Sequence, residues 1–302
     1  MNSIVPALLW AWLMASSFIV SGYVTAYGSP LAATGLRFLL ALIMMTPIYW
    51  YTRKEHSGSL VMLLLSPKIL LQQLLISGAL VSFFIGLFAA LKTTTSLNTS
   101  VLYSLLPLIA ALLAGCFGIK TRRSQWLGYV LGASGAITVL LFSREGLFIW
   151  HVGDTIYLVA CCLLAFHVVA VQLWNTNVSP FEGAYRITFF GTLWLLPLVF
   201  LWGEPQNLQW HIATFWYGII YLATFTTLLT FVLQQIVVRN GGASRLLAFS
   251  YTIPIWVACV AYFSQASLGL LSKGFIIGTV MVIIALVMID GQFKWFKQKR
   301  HG

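Results

Sequence analysis

Residues 89–107 read AALKTTTSLNTSVLYSLLP, a sequence in which a short polar turn joins two apolar segments. The first segment ends at the cation Lys92, and the second contains Pro107. The arrangement returns at residues 236–254, which read IVVRNGGASRLLAFSYTIP and carry Arg239 and Pro254 at the corresponding positions.

The two stretches are copies of one pattern, because the proline follows the cation by 15 residues in each. Several matches at a single offset of 147, in a chain of 302 residues, predict two copies of one structural unit. The offset also relates Phe84 to Phe231 and the pair Tyr103–Ser104 to the pair Ser250–Tyr251.

The composition indicates a membrane protein. Charged residues make up 8% of the chain and hydrophobic residues 60%, against roughly 25% and 45–50% in soluble domains. The net charge of +11 is carried by cations in the gaps between apolar runs, which is typical of membrane loops and not of a nucleic-acid-binding face. The four cysteines all lie inside apolar runs, so we expect packing residues and predict neither a metal site nor a cofactor.

Ten apolar spans can be counted, each long enough for a hydrocarbon core of about 30 Å. We therefore predict an all-α integral membrane fold, with an interfacial connector at residues 53–68. The spans cover residues 4–23, 31–51, 69–91, 97–118, 125–142, 153–174, 182–202, 212–238, 244–264 and 273–290.

The cations predict the orientation. With the N-terminus inside, the cytoplasmic gaps and the C-terminal tail hold eleven Lys and Arg residues, and the opposite side holds three, Lys92, Arg144 and Lys273. Positive charge is retained inside, so both termini should be cytoplasmic in the cell inner membrane. Five spans per copy is an odd number, which predicts inverted repeats over residues 1–147 and 148–302, the second with a short basic tail.

Inverted repeats have two nearly equivalent packings, each open to one side of the membrane, and so predict alternating access to a site between the copies. Pro107 and Pro254 lie about ten residues into spans four and nine. A proline inside a helix removes one backbone hydrogen bond and bends the helix, so the matched pair predicts shared hinges. Tolerated kinks are the alternative.

The chain resembles the EamA-type transporters of the drug/metabolite transporter superfamily over nearly its whole length. The resemblance implies ten spans in two inverted repeats. It also implies transport, often outward, of small metabolites, amino acids or drugs through a cavity lined largely by spans one, three, four, six, eight and nine. The residues that carry it are Pro30 with Leu36-Arg37-Phe38, Ala90-Leu91-Lys92 through Pro107, Gly118, Gly128-x-x-x-Gly132-x-x-Gly135, Gly153-Asp154, Arg239 through Pro254, and Gly274-x-x-x-Gly278.

Polar and aromatic groups inside the spans are the candidates for a substrate site, because polar groups in lipid are costly unless they are paired. The alternative for serine and threonine is close helix packing. We expect Tyr103 and Tyr251 to face each other across the cavity. The candidates are Ser16 and Ser17 in span one, Phe84 in span three, Tyr103 and Ser104 in span four, His167 in span six, Thr227, Phe231 and Gln234 in span eight, and Ser250 and Tyr251 in span nine.

The charged residues narrow the substrate. All six carboxylates lie in loops or near span ends, so no deep acid awaits a cationic drug, and neutral or zwitterionic solutes such as amino acids are favoured. His167 suits proton exchange by its type, although we expect a hydrogen-bonding cavity wall. Arg37 and Arg186 follow their prolines by seven and six residues. We expect each arginine side chain either to snorkel toward the membrane surface or to form a structural pair. The alternative is a role as a gate or as a contact for an anion.

Other function classes fit less well. A membrane enzyme needs paired aspartates, a Ser–His arrangement or metal ligands, and the sequence offers none of these patterns. A lipid-binding scaffold would have no use for polar groups at the centre of a repeat. We therefore predict a transporter whose partners are a small-molecule substrate and the bilayer, acting as a monomer or weak homodimer. A multidrug permease, importer or exchanger of the same fold is the alternative.

Overall fold

The computed structural model describes residues 4–52, 66–94, 96–143, 149–176, 178–265 and 273–290, and every regular element within them is helical. A π-helical turn covers Thr224–Leu229, and 3₁₀ turns cover Pro205–Asn207 and Ser250–Thr252. The helices are α1 Ile4–Thr25, α2 Pro30–Thr52, α3 Pro67–Leu91, α4 Ser96–Tyr103, α5 Leu106–Cys116, α6 Arg123–Ser143, α7 Val152–Trp174, α8 Pro180–Trp202, α9 Ala213–Ala223, α10 Thr230–Phe249, α11 Ile253–Gln265 and α12 Lys273–Asp290.

Length and composition make this a multi-pass membrane protein. Two shorter apolar helices, Leu106–Cys116 and Lys273–Ile289, accompany six longer stretches, and large apolar side chains such as Tyr51 and Phe200 are largely exposed on the outside. The six stretches within the described residues that are long and apolar enough to cross a bilayer are Ile4–Val24, Pro30–Thr52, Pro67–Leu91, Val152–Trp174, Pro180–Trp202 and Ala213–Val257.

The longest of these stretches is interrupted at Gly242, where φ is +78° and ψ is 168°. Glycine adopts this backbone conformation without the steric cost of a side chain. The break falls in the polar turn between predicted spans eight and nine. The count of ten crossings stays a prediction. The predicted connector lies outside the described residues except for 66–68, and Arg144 and the basic tail lie outside them as well.

Pro107 and Pro254 follow breaks in the helices and do not bend continuous ones. Pro107 is the second residue of α5, after the turn at Ser104 and Leu105, and Pro254 is the second residue of α11, after the 3₁₀ turn. A proline in the first helical turn is well tolerated, since its missing N–H would have no intrahelical partner. Both breaks fall at equivalent positions of the offset of 147, as expected for two copies of one unit.

Equivalent helices of the two halves of the chain, α1–α6 and α7–α12, make equivalent contacts with the other half. Helix α2 packs on α8, and α6 packs on α12 along most of its length. The packing of α3 on α7 is matched by that of α1 on α9, the π-helical turn and α10. Each contact remains when every helix is replaced by its equivalent from the other half. This is expected for two repeats related by a two-fold axis.

Glycines let α6 and α12 approach closely. A methyl group added at Gly278 would lie 2.7 Å from the carbonyl oxygen of Gly135, and one added at Gly135 would lie 2.8 Å from the carbonyl oxygen of Gly278. Small residues at such crossings allow backbones to pack directly in membranes. Gly135 of one glycine motif and Gly278 of the other therefore meet in one helix–helix contact.

Candidate functional site

A cavity of about 120 Å³ lies among helices of both halves. Its walls come from α1, α2, α3, α4 and α5 on one side, and from α7, α9, the π-helical turn and α10 on the other. Helix α2 is an addition to the spans that the family resemblance implied. Its contribution runs from Pro30 to Arg37.

Six of the residues singled out from the sequence line this cavity. Phe84 and Phe231, which the repeat offset relates, pack edge-to-face on the same ring, that of Phe38, with centroid distances of 6.0 and 5.6 Å. The repeat pattern thus brings two equivalent aromatic side chains together at the centre of the protein. The six are Ser17, Arg37, Phe84, Tyr103, Phe231 and Gln234.

His167 does not line the cavity, but it forms a hydrogen bond with Gln234, which does. Its Nδ1 is 2.8 Å from the carbonyl oxygen of Ile76, which can only accept, so Nδ1 carries the proton. Nε2 then accepts from the amide nitrogen of Gln234 at 2.9 Å. The pair leaves the amide oxygen and the second amide N–H of Gln234 as the groups that this side chain can offer to a solute.

Arg37 is the cation of the site, and only 6% of its surface is exposed. Its Nε donates to Oγ1 of Thr227 at 2.9 Å, and one terminal nitrogen donates to the carbonyl oxygen of Thr226 at 3.1 Å. The guanidinium carbon lies 5.5 Å from the ring centroid of Phe84. Thr227 therefore holds Arg37 in the cavity wall, although it does not line the cavity itself.

Three carboxylates, those of Asp154, Glu182 and Glu204, are engaged elsewhere. Asp154 is fully buried and accepts from Thr94, from the Asn98 amide at 2.7 Å and from the backbone N–H of His151 at 2.6 Å. Glu182 pairs with Arg186 four residues on, and Glu204 accepts from Asn207. Among the described residues that line the cavity, none is a carboxylate that could compensate the charge of Arg37.

The remaining candidates do not line the cavity. Arg186 forms an ion pair with Glu182 within α8. Ser16 donates to the carbonyl oxygen of Leu13 and accepts from Tyr221, and Ser250 donates to the carbonyl oxygen of Leu247. Ser104 is buried in the turn between α4 and α5.

The expectation that Tyr251 faces Tyr103 across the cavity is corrected. Only 1% of Tyr251 is exposed, its ring lies against Gly132, and its hydroxyl donates to the carbonyl oxygen of Tyr129 at 2.9 Å. The order Tyr-Ser in one repeat and Ser-Tyr in the other shifts the ring by one position. That shift turns Tyr251 toward α6, so only Tyr103 lines the cavity.

The sequence reasoning missed several lining residues. Trp10, Thr34, Phe83, Thr226 and Thr230 contribute to the wall. The spacing of Thr226 and Thr230 by four residues, on the face that holds Gln234, could have identified the two threonines. The π-helical turn gives no comparable signal in the sequence.

The apolar helices and the internal cavity define a multi-pass membrane protein that can enclose a small solute. The model of the EamA-like transporter family matches the chain twice, at residues 1–141 and 151–290. The chain belongs to the EamA-like transporter family, within the drug/metabolite transporter superfamily, and the resemblance found in the sequence is confirmed.

Two relatives from Bacillus subtilis (strain 168) carry the descriptions of uncharacterized transporters. YyaM is 24% identical over 303 residues, covering 96% of this chain and 94% of its own. YetK is 23% identical over 257 residues, covering 82% and 76%. A protein of known crystal structure has the same fold, with a TM-score of 0.77 over 95% of this chain and 96% of that chain, at 17% identity.

Proposed function

We propose that the protein exports small neutral or zwitterionic metabolites, such as amino acids, across the cell inner membrane by alternating access. The observation that carries the proposal is the cavity, whose walls come from both halves of the chain and which holds the buried polar groups Arg37 and Gln234. Its volume of about 120 Å³ is of the order that accommodates a benzene-sized molecule. A small metabolite is therefore the matching class of solute.

The proposed architecture is ten crossings in two inverted repeats, residues 1–147 and 148–302. Support comes from the two family matches, the equivalent helix breaks and the contacts that survive exchange of the halves. Inverted repeats supply two related packings around one central site. Since one chain lines the whole cavity, we propose a monomer or weak homodimer as the working unit.

Two contacts between the halves lie at opposite ends of the α3–α7 pair. Near the end of α3, Thr94 and Asn98 bind Asp154 at the start of α7. Near the start of α3, the Gln73 amide donates to Asn175, which follows α7, at 2.8 Å. We propose that these contacts are the two closures, one for each side of the membrane, that open in turn.

Both termini are proposed to be cytoplasmic, because the cation bias favours that side. A reporter enzyme that is active only in the periplasm should give no signal when fused after Gly302, and should give a signal when inserted after Lys92. The reverse pattern, with equal expression of both fusions, would overturn the orientation.

The function itself is tested in proteoliposomes loaded with candidate solutes. We expect saturable efflux of one or more small zwitterionic or neutral metabolites, and exchange against the same solute outside. Comparing efflux, uptake and exchange decides between exporter, importer and exchanger. Absence of flux for an entire panel of metabolites, by protein that remains folded, would contradict the proposal.

Tyr103 is expected to contribute its hydroxyl to solute binding. Tyr103→Phe keeps the ring in the cavity wall and deletes the hydroxyl, so the affinity for a polar solute should fall by about five- to a hundredfold, or roughly 1–3 kcal/mol. Isothermal titration with a transported solute measures the change.

Tyr251→Phe is the matched control for this experiment. It removes a hydroxyl that donates to the carbonyl oxygen of Tyr129, so it should lower the stability by about 1 kcal/mol and leave the affinity unchanged. If the two variants bind alike, Tyr103 is a packing residue.

A further inference from the structure

We propose that Arg37 binds the carboxylate group of the transported solute. Among the proposed solutes, this makes zwitterions with an apolar body, such as amino acids, the substrate class. The inference rests on the proposed transport function, and it adds to that function the chemical group that is recognised and the residue that recognises it.

The charge of Arg37 has no counter-ion among the described residues that line the cavity. An isolated buried cation is costly unless an anion or a set of hydrogen bonds stabilises it. Arg37 lines the cavity with 94% of its surface buried, while the side chains of Asp154, Glu182 and Glu204 have other partners. Within the described residues the site thus contains a cation and lacks its counter-ion. A carboxylate on the solute supplies it.

Arg37 has N–H donors that remain available to a solute. A guanidinium group carries five N–H donors in a planar fork. One edge, formed by Nε and one terminal nitrogen, is used by Thr227 and Thr226. Three N–H groups remain on the other edges, where arginine forms paired bonds with the two oxygens of a carboxylate.

Arg37 is held in place by Thr226 and Thr227. Thr227 donates its own hydroxyl proton to the carbonyl oxygen of Leu222 at 3.0 Å, so its oxygen is left to accept from Nε of Arg37. Both partners of Arg37 lie in the π-helical turn, an element that recurs at functional sites. Thr227 is therefore a positioning residue that directs the guanidinium group.

The other residues that line the cavity indicate which chemical groups the rest of the solute carries. Trp10, Phe83, Phe84 and Phe231 line it together with leucines, which suits a ring or a branched chain. The hydroxyls of Thr226 and Thr230 donate to carbonyl oxygens of their own helix at 3.0 and 2.9 Å. Their oxygens can only accept further bonds, so an ammonium group on the solute is accommodated as well.

The direct test uses the purified wild-type protein and matched solutes. Binding of 3-methylbutanoate is compared by calorimetry with that of 3-methylbutanamide, which has the same shape without the charge, and of L-valine. We expect the carboxylate to bind about ten- to a hundredfold more tightly than the amide. L-Valine should also bind more tightly than the amide. Equal affinities, or no binding of the carboxylate, would overturn the proposal.

Variants locate the effect at Arg37. Arg37→Gln should abolish the preference for the carboxylate, and Arg37→Lys should retain part of it, because a point charge replaces the paired donors. Arg186→Gln, at an arginine whose ion pair lies outside the cavity, is the control and should keep the full preference. A preference that survives Arg37→Gln in folded protein would also overturn the proposal.

Thr227→Val tests the positioning role. It keeps the shape and deletes the hydroxyl, so the ratio of carboxylate to amide affinity should fall severalfold while the amide affinity stays the same. Thr188→Val is the control, since the Thr188 hydroxyl is bonded to its own helix and lies outside the cavity. A fall in both affinities by the same factor would make Thr227 a structural residue only.

Transport measurements separate this inference from the function on which it rests. If reconstituted protein transports solutes that lack a carboxylate, and Arg37→Gln transports them equally well, the transport function stands and the Arg37 site fails. If binding prefers the carboxylate but no solute crosses the bilayer, the binding site stands and the transport function fails.

Discussion

Alanine at both Pro107 and Pro254 is expected to slow transport strongly while leaving substrate binding intact. Each proline is the second residue of a helix that follows a break, and neither can donate a hydrogen bond across it. Alanine restores an N–H group, which can bond to the carbonyl oxygen of Tyr103 or of Ser250 and continue the helix. The two restored bonds together contribute about 2 kcal/mol, at about 1 kcal/mol for each net backbone hydrogen bond.

A bias of that size toward the straightened helices changes the population of one conformation by about thirtyfold. We therefore expect turnover in proteoliposomes to fall by about ten- to thirtyfold, with the solute affinity within about twofold of the parent. Pro197→Ala, at a proline inside α8 that does not follow a break, is the control. Normal turnover by the double variant would reduce both prolines to tolerated features of the helices.

Leucine at Gly278 is expected to destabilise the protein severely. Already the first added carbon would lie 2.7 Å from the Gly135 carbonyl oxygen and 2.8 Å from the backbone nitrogen of Val139, so α6 and α12 must separate. Overpacking of this kind costs about 3 kcal/mol at the upper end of the usual range. We expect a clearly lower melting temperature in detergent and a loss of the single elution peak.

Gly115→Leu is the matched control for this change. Gly115 also lies in an apolar helix, but an added side-chain carbon meets no atom within 4 Å. Its melting temperature should stay close to that of the parent. If both leucine variants melt alike, the contact between α6 and α12 does not depend on its glycines.

Much of the architecture could be predicted from the sequence, because long apolar helices have few alternatives in a membrane. The spans at Pro30, Pro180 and Lys273 begin within two residues of the observed helices. The offset of 147 identified Phe84 and Phe231 as equivalents, and the two rings do meet on Phe38. Positions that are repeated and apolar are constrained by both copies at once, which makes their pattern easy to detect.

The candidate site could be predicted only in part, because it depends on the rotation of single helices. A shift of one residue on a helix turns a side chain by about 100°. That shift removes Tyr251 from the cavity and leaves Tyr103 in it. Arg37 was expected to snorkel or to pair, yet its partners are in a π-helical turn about 190 residues away. Sequence periodicity does not specify such a turn.

The two halves are proposed to close the cavity at one end and then at the other. This alternation is tested by cross-linking each end in turn, in protein whose four native cysteines are replaced by alanine. One variant carries cysteines at Thr94 and Asp154, and the other carries them at Gln73 and Asn175, where side chains of the two halves are bonded to each other. A short bifunctional thiol reagent that is cleaved by reductant joins each pair.

Flux of a transported solute through proteoliposomes is the measurement. We predict that either cross-link alone reduces flux to the level of empty liposomes and that reductant restores it, because each end must open once in every cycle. Solute binding should persist from the side that is not cross-linked. Undiminished flux through fully cross-linked protein, at either end, would contradict alternating access around this cavity.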